Sequence, residues 1–406
     1  MNGTATATAV IMTGTGSRFE NEAENGLAHF LEHMFFKGTK KRPTAQDISR
    51  ELDTLGSSYN AYTAKDRTAY HAKVASEYLD TALDVLFDLF LNATLAPKEI
   101  RKEQGAVIQE IDMYEDMPMR TIDTVFDALL YGNNHPLGRT ILGPKENIRA
   151  FTRRDFQRYL ARNYSVVNTV IAIAGAFSEK KVLGKITRDF GSLPKSPKPL
   201  CSMWTGSQDA PRVHIKIKQT DQTQLMLGVS AYPYLHKDEY ALAVLTTLLG
   251  GGMSSRLFSE VREKRGLAYS IYASIDKYTD TGNFTVQAGV EHEKLPKALS
   301  TILSELKKLK HAKVSAEELH RTKSYMKGTL ALSLETSDAI AENAATALTT
   351  IGRIRPLMER LADIDAVSAR DIQRVAQDIF KPERLNLAIL GPHAGAENKF
   401  LPLLTL

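Results

Sequence analysis

The sequence predicts an α+β protein made of two homologous α/β domains, each with an antiparallel-rich sheet and helices on one face. Three observations lead to this fold class. Segments repeat at one fixed spacing, strand-length stretches alternate apolar and polar residues, and longer stretches have helical periodicity. Strand pairs followed by helices in blocks suit a sheet covered by helices. The blocks are not regular enough for a parallel, doubly wound sheet.

The repeat has a spacing of 216 residues. The matching pairs are 155–158 (DFQR) with 371–374 (DIQR), Gly175 with Gly391, and 79–83 (LDTAL) with 295–299 (LPKAL). One such match could be chance, but three at one spacing indicate a duplicated domain.

The boundary between the two copies is predicted in the segment 192–211. That segment contains Pro194, Pro197, Pro199 and Pro211 and has little apolar periodicity, which is typical of an extended linker. The predicted organisation is therefore a first domain at 1–191, a linker at 192–211 and a second domain at 212–406, each domain of ordinary size.

Individual elements follow from the apolar patterns. Strands are predicted at 4–12, 68–74, 169–174, 213–217, 284–288 and 385–390, and helices at 79–91, 98–114 and 294–309.

Composition excludes several classes of protein. The 52 basic and 47 acidic residues leave a net charge of +5, and the basic residues are scattered rather than gathered in a stripe, so no nucleic-acid partner is expected. No apolar run is long enough for a membrane span, and no stretch has signal-peptide anatomy, so the chain as written is expected to be cytoplasmic. The single cysteine, Cys201, allows neither an internal disulfide nor a cysteine metal cluster, and is more often a bystander than a nucleophile.

The segment His29-Phe30-Leu31-Glu32-His33 carries the strongest chemical signal. On a helix, His29 and His33 lie one turn apart on one face, as two ligands of one zinc ion require. Glu32 faces the same side and can take a proton from metal-bound water without being a ligand itself. The reversed motif of thermolysin-like proteases, H-E-x-x-H, is absent from this segment.

A catalytic zinc site needs a third ligand, and the predicted helix at 98–114 offers two carboxylates. Glu103 and Glu110 are seven residues apart and therefore lie on one helix face. Glu110 follows Val107-Ile108 in apolar surroundings, where a carboxylate needs a counter-charge such as zinc. Glu103 then becomes a group that hydrogen-bonds and orients a ligand. Taken alone, both carboxylates would more often be surface residues.

With these residues in hand, the chain resembles the pitrilysin or insulinase family, M16, and within it the short-chain branch of processing peptidases. The segments 26–34 (GLAHFLEHM) and 37–39 (KGT) resemble the family signature, and 76 residues separate His33 from Glu110, as in that family. The resemblance covers about residues 10–395. It implies one Zn²⁺ per chain, because the second copy has only apolar residues or threonine at 244–249, where the motif would recur.

The resemblance also implies roles for residues outside the motif. Arg262 and Tyr269 stand at the places of the family's arginine–tyrosine pair, which binds substrate and stabilises the transition state. Asn60 and Ala61 resemble its substrate-binding edge strand. Without the resemblance, Arg262 would be interpreted as a surface residue, Tyr269 as a core aromatic, and 60–63 as an ordinary strand.

The function expected from these residues is zinc-dependent endopeptidase activity on unfolded peptides bound in extended conformation. Short-chain relatives are dimers, so a homodimer is expected, with a heterodimer containing a sister subunit as the alternative. The rival function is a non-catalytic scaffold subunit, although such subunits typically lose metal ligands, whereas all four critical residues are present here.

Two departures from the family pattern limit these expectations. Relatives usually carry a longer segment before Thr4, so a first strand or a targeting segment could have been removed. Mitochondrial presequence peptidases carry acidic residues ten and fourteen positions after the third ligand, where this chain has Arg120 and Thr124. Arginine-directed specificity is therefore not expected.

Overall fold

The computed structural model describes residues 3–191 and 193–406. The predicted linker begins at Ser192, which lies outside the described residues, as do Met1 and Asn2 of the predicted first domain. Residues 193–211 form neither helix nor strand.

Strands and helices fill most of the rest of the described chain. The strands are β1 (Thr6–Thr13), β2 (Ser58–Thr63), β3 (Thr68–Ala75), β4 (Thr169–Gly175), β5 (Arg212–Ile217), β6 (Thr223–Ala231), β7 (Ala268–Lys277), β8 (Gly282–Val290) and β9 (Asn386–Gly391). The helices are α1 (Leu27–Phe35), α2 (Ala45–Thr54), α3 (Leu79–Asn92), α4 (Pro97–Glu115), α5 (Pro118–Tyr131), α6 (Lys145–Ala150), α7 (Arg153–Asn163), α8 (Glu179–Phe190), α9 (Glu239–Gly250), α10 (Leu295–His311), α11 (Ala316–Leu332), α12 (Ser337–Ile351), α13 (Leu357–Ala366), α14 (Ala369–Ile379) and α15 (Glu397–Phe400).

The strands form two sheets. The first has the order β2-β3-β1-β4, with every neighbouring pair antiparallel. The second has the order β5-β9-β6-β8-β7, and only its β5–β9 pair is parallel. This is the antiparallel-rich α+β fold that the sequence predicts.

The repeat appears as matching elements. Helices α3 and α10 begin at Leu79 and Leu295, and α7 and α14 begin at Arg153 and Ala369, so each pair has the 216-residue spacing of the sequence repeat. The predicted strands and helices agree with the observed bounds to within a few residues, because each is marked by its own apolar periodicity.

Two compact units are built from these elements, and each includes one segment from the other half of the sequence. The first unit is drawn from Met1–Met113, Arg139–Ser202 and Leu332–Ile354, taken over their described residues. The second is drawn from Tyr114–Gly138, Met203–Ala331 and Arg355–Leu406. The predicted boundaries at 191 and 212 refer to the repeat along the sequence and stay a prediction.

In the first unit, β1 is buried on both faces. Ala7, Ala9 and Ile11 pack with α1 and α3, whereas Val10 and Met12 pack on the opposite face with Ala341 and Ala345 of α12. A buried hydrogen bond of 2.8 Å joins Thr8 to Ser337. The sequence predicts helices on one face of the sheet. Helix α12 covers the other face as well.

The second unit repeats this arrangement with α5. Leu387 and Ile389 of β9 lie in the main core of the unit, whereas Ala388 and Leu390 pack on the other face with Phe126 and its neighbours on α5. Among the described residues, no helix has both the length and the apolar run that crossing a bilayer requires.

Candidate metal centre

Helix α1 presents the candidate metal-binding side chains on a well-packed support. Leu27, Phe30, Leu31 and Met34 are buried in the core of the first unit, which fixes the orientation of the helix. Gly26 precedes the helix with φ of 100°, and a Cβ there would lie 2.6 Å from the carbonyl oxygen of Leu142. Only glycine suits that backbone conformation and close approach.

His29, His33 and Glu110 converge at one point. Glu110 Oε2 on α4 lies 3.5 Å from His29 Nε2 and 3.3 Å from His33 Nε2, and the three ligand atoms all lie within 4.8 Å of one another. A tetrahedral metal ion with bonds of about 2.0–2.1 Å holds its ligand atoms roughly 3.3–3.4 Å apart. Both distances to Glu110 are therefore close to those of a tetrahedral site, and the whole set lies within 4.8 Å.

Glu103, one heptad before Glu110 on α4, orients one of these imidazoles. Its Oε1 lies 3.0 Å from His33 Nδ1, and its Oε2 lies 2.7 Å from Lys37 Nζ. Because Glu103 accepts the Nδ1–H of His33, the other ring nitrogen, Nε2, is held facing Glu110. Burial raises the pKa of Glu103, but the bonds from His33 and Lys37 outweigh it, so the pKa is lowered and the group is a carboxylate.

Electrostatics at the point of convergence favour a cation. Hydrogen bonds from His29 and His33 hold the pKa of Glu110 well below its usual range. Burial lowers the pKa of His33, but its bonds to Glu103 and Glu110 raise it to about 9 overall. A proton on His33 compensates the carboxylates, and a bound divalent cation would take over that role.

Glu32 lies on the same face of α1, without a place among the three converging ligand atoms. Burial raises the pKa of Glu32, against the hydrogen bond from Thr63 and the nearby imidazoles, which lower it. Thr63 Oγ1 donates to Glu32 Oε2 over 2.6 Å. A carboxyl group with a raised pKa beside a candidate metal centre is suited to accept and return a proton.

Strand β2 runs to this site and forms the edge of its sheet. Its Asn60 and Ala61 were predicted to bind substrate. The backbone N–H of Ala61 donates to the side-chain Oδ1 of Asn60 over 2.9 Å. The side chain of Asn60 therefore engages that N–H, and the substrate-binding roles of Asn60 and Ala61 stay predictions.

Arg262 and Tyr269 belong to the second unit, where the structure brings them together. The guanidinium carbon of Arg262 lies 5.3 Å from the centre of the Tyr269 ring. Arg262 is on a π-helical turn, and Tyr269 sits where the β7–β8 register shifts, so that 77% of it is exposed. Both irregularities are common at functional sites. Their catalytic and substrate-binding roles stay predictions.

Sequence reasoning did not assign a role to Lys37, Thr63 or Glu20, although each contacts the site or its helix. Lys37 and Thr63 lie within segments that resemble the family pattern, and that resemblance was the one feature of the sequence that could have pointed to them. Their partners are 66 and 31 residues away in the chain, so their roles depend on tertiary structure.

The fold and these side chains define a class of protein: a two-unit α+β metallopeptidase with an H-x-x-E-H helix and a distant glutamate. A family model described as insulinase, peptidase family M16, matches residues 1–145, and a model described as the peptidase M16 inactive domain matches 150–326.

Relatives match along nearly the whole chain. YmxG of Bacillus subtilis, described as a zinc protease, is 37% identical over 94% of this chain and 92% of its own length. A zinc protease of Rickettsia felis is 35% identical with the same coverage. A solved protease from Helicobacter pylori superposes with a TM-score of 0.89 at 26% identity, over 97% of this chain and 95% of its own. The chain belongs to peptidase family M16 and is a metalloendopeptidase.

Proposed function

We propose that the protein is a zinc-dependent endopeptidase that hydrolyses peptide bonds in unfolded peptides, with Glu32 as general base and one Zn²⁺ held by His29, His33 and Glu110. The observation that carries this proposal is the spacing of Glu110 Oε2 from the two imidazole Nε2 atoms, 3.5 and 3.3 Å, which fits a tetrahedral ion. Two nitrogens and one carboxylate oxygen are ligands that zinc favours, and the relatives described as zinc proteases support the same metal.

Each residue of the site has one task. Bound Zn²⁺ supplies a Lewis acid that polarises a carbonyl oxygen and lowers the pKa of water toward about 7. Glu32 accepts a proton from the attacking water and delivers it to the departing amine nitrogen, so the carboxylate is regenerated when the peptide bond breaks. Glu103 and Lys37 keep His33 in the tautomer and orientation that the metal needs.

The open edge of β2 suits an extended substrate. Backbone hydrogen bonds to a strand edge bind any peptide with an exposed main chain, which favours unfolded segments over folded proteins. Arg262 and Tyr269 carry hydrogen-bond donors of the kind that stabilise a developing oxyanion, and we assign them that task in a homodimer of this chain.

Replacing Glu32 by Gln tests the proposal directly. The variant keeps the three metal ligands, so we expect about one zinc per chain by elemental analysis, as in the wild type. Turnover of a quenched fluorescent peptide should fall at least 100-fold, because general base catalysis contributes on the order of 10²–10⁴. A chelator should abolish wild-type activity, and added zinc should restore it.

Two outcomes would contradict the proposal. If zinc-loaded Glu32→Gln protein cleaved peptides at the wild-type rate, Glu32 would not be the base. If zinc-loaded wild-type protein cleaved no member of a mixed peptide library, the chain would be a non-catalytic partner subunit instead.

A further inference from the structure

The hydroxyl of Thr63 is the contact that fixes the carboxylate of Glu32. Thr63 Oγ1 lies 2.6 Å from Glu32 Oε2. Throughout residues 3–191 and 193–406, no other group is found to donate a hydrogen bond to that carboxylate. One carboxylate oxygen is therefore engaged, and the other is left for the proton that the reaction transfers.

Thr63 is itself held in place from two sides. It pairs with Thr68 as the last residue of β2, and the turn that follows is closed by a bond of 2.8 Å from Ala64 N to Arg67 O. The same turn accepts backbone bonds from Ser17 and Arg18, which precede α1. A Cβ at Gly16 would lie 2.1 Å from Ala64 O, so this contact also requires glycine. The hydroxyl of Thr63 is thus located by backbone, not by a mobile loop.

Strand β2 also carries the residues proposed to bind substrate. Asn60 and Ala61 lie three and two positions before Thr63, which places them within about 10 Å along an extended strand. One rigid strand would therefore locate both the substrate backbone at its open edge and the base at its end. Catalytic groups must be held to within about 0.5 Å of the productive geometry.

We propose that Thr63 is a positioning residue, which holds the Glu32 carboxylate in the orientation for proton transfer and ties that orientation to the strand that receives the substrate. It donates a hydrogen bond and transfers no proton itself. The inference rests on the proposed function for its kinetic part and on geometry alone for the position of Glu32.

Thr63→Val removes the hydroxyl while keeping the branched shape and the strand propensity. With zinc-loaded protein and a quenched fluorescent peptide, we expect kcat to fall about tenfold, KM to change less than about twofold, and the zinc content to stay at the wild-type value. Thr63→Ser retains a hydroxyl at the same place and should recover kcat to within about twofold of the wild type.

The matched control is Thr8→Val. Thr8 is another threonine of this sheet, more buried than Thr63, and its hydroxyl bonds to Ser337 on the sheet face away from α1. We expect that variant to lose thermal stability without losing kcat. Equal kcat in Thr63→Val and wild type, or an equal loss in Thr63→Ser and Thr63→Val, would overturn the proposal.

A crystal structure of metal-free Thr63→Val gives a test that needs no activity. Glu32 should leave its single orientation for several in the variant and keep it in Thr63→Ser. A Glu32 side chain unmoved in Thr63→Val would refute the positioning role even if the wild-type protein proved to cleave no peptide, whereas a displaced one would uphold it in that case.

Discussion

A carboxylate buried at the start of α1 shows how much a single residue contributes to the site. Glu20 is 2% exposed, and its oxygens accept from the backbone N–H groups of Gly26 and Ala28 over 3.0 and 2.6 Å and from the side chain of Asn25 over 3.2 Å. The two backbone donors would otherwise be unpaired at the N-terminus of a helix. Glu20 therefore anchors the helix that carries His29 and His33.

The electrostatics of Glu20 predict a pH dependence of stability. Burial raises its pKa to about 8, against the lowering effect of the three N–H donors. Because the folded-state pKa lies above the unfolded value of 4.5, the folded protein binds the proton more tightly, and this group's contribution to stability decreases as pH rises from about 4.5 to 8.

Glu20→Gln should lower stability at every pH, since an amide NH₂ would face N–H donors, and it should also flatten the pH dependence. Between pH 6 and 8 we expect the wild type to lose up to about 2 kcal/mol more than the variant. Urea unfolding at the two pH values measures both slopes. Parallel curves for the two proteins would show that Glu20 does not titrate in this range.

Among individual residues, the sequence predicts which site residues lie together when they share one helix. His29, Glu32 and His33 share one helix, and Glu103 and Glu110 share another, so helical spacing alone puts each set on one face. Periodicity cannot bring the two helices together. The need for a third ligand suggested that they meet, and the family resemblance supported it. The partners of Thr63 and Lys37 depend on where a hairpin and α4 meet α1, which no local pattern encodes.

Elements were predicted well in type and less well in placement. Helices α5 and α12 each have an apolar face, but amphipathicity does not say which sheet that face will cover. The structure places α12 on the sheet of the first half and α5 on the sheet of the second. Strands β1 and β9 are buried on both faces for this reason, and a continuous apolar run is the signal that such a strand leaves in a sequence.

Replacing Phe126 tests how much the packing of α5 on the second sheet contributes to stability. It lies on α5, is 1% exposed, and reaches to 2.6 Å from where a Cβ on Gly228 of β6 would stand. Phe126→Ala should cost about 3–5 kcal/mol and lower the thermal midpoint by roughly 6–15 °C. Differential scanning calorimetry measures this loss.

The control for Phe126→Ala is Thr124→Ala, at an exposed position of the same helix, with an expected change within about 0.5 kcal/mol. Similar midpoints for the two variants would mean that α5 does not hold the second sheet together.

For the whole molecule, the proposed homodimer makes a prediction about shared sites. If Arg262 acts at the metal centre of a partner copy, Glu32→Gln and Arg262→Ala proteins should each be nearly inactive alone. Mixed under conditions that let subunits exchange, they should regain about a quarter of wild-type activity, because half of the dimers would then carry one intact site. Light scattering should give twice the 45.0 kDa chain mass.

A fully active species of 45.0 kDa would refute the dimer. Mixing that restores nothing, in a confirmed dimer, would place Arg262 with the metal centre of its own chain or outside catalysis.

The reciprocal placement of α5 and α12 also constrains how such a chain can have evolved after its duplication. The equivalent helix of each half packs on the sheet formed by the other half. Losing either half, or expressing it alone, would therefore expose one face of the remaining sheet to solvent. The second copy has no metal-ligating residue types at 244–249, but it supplies α12, which covers one face of β1.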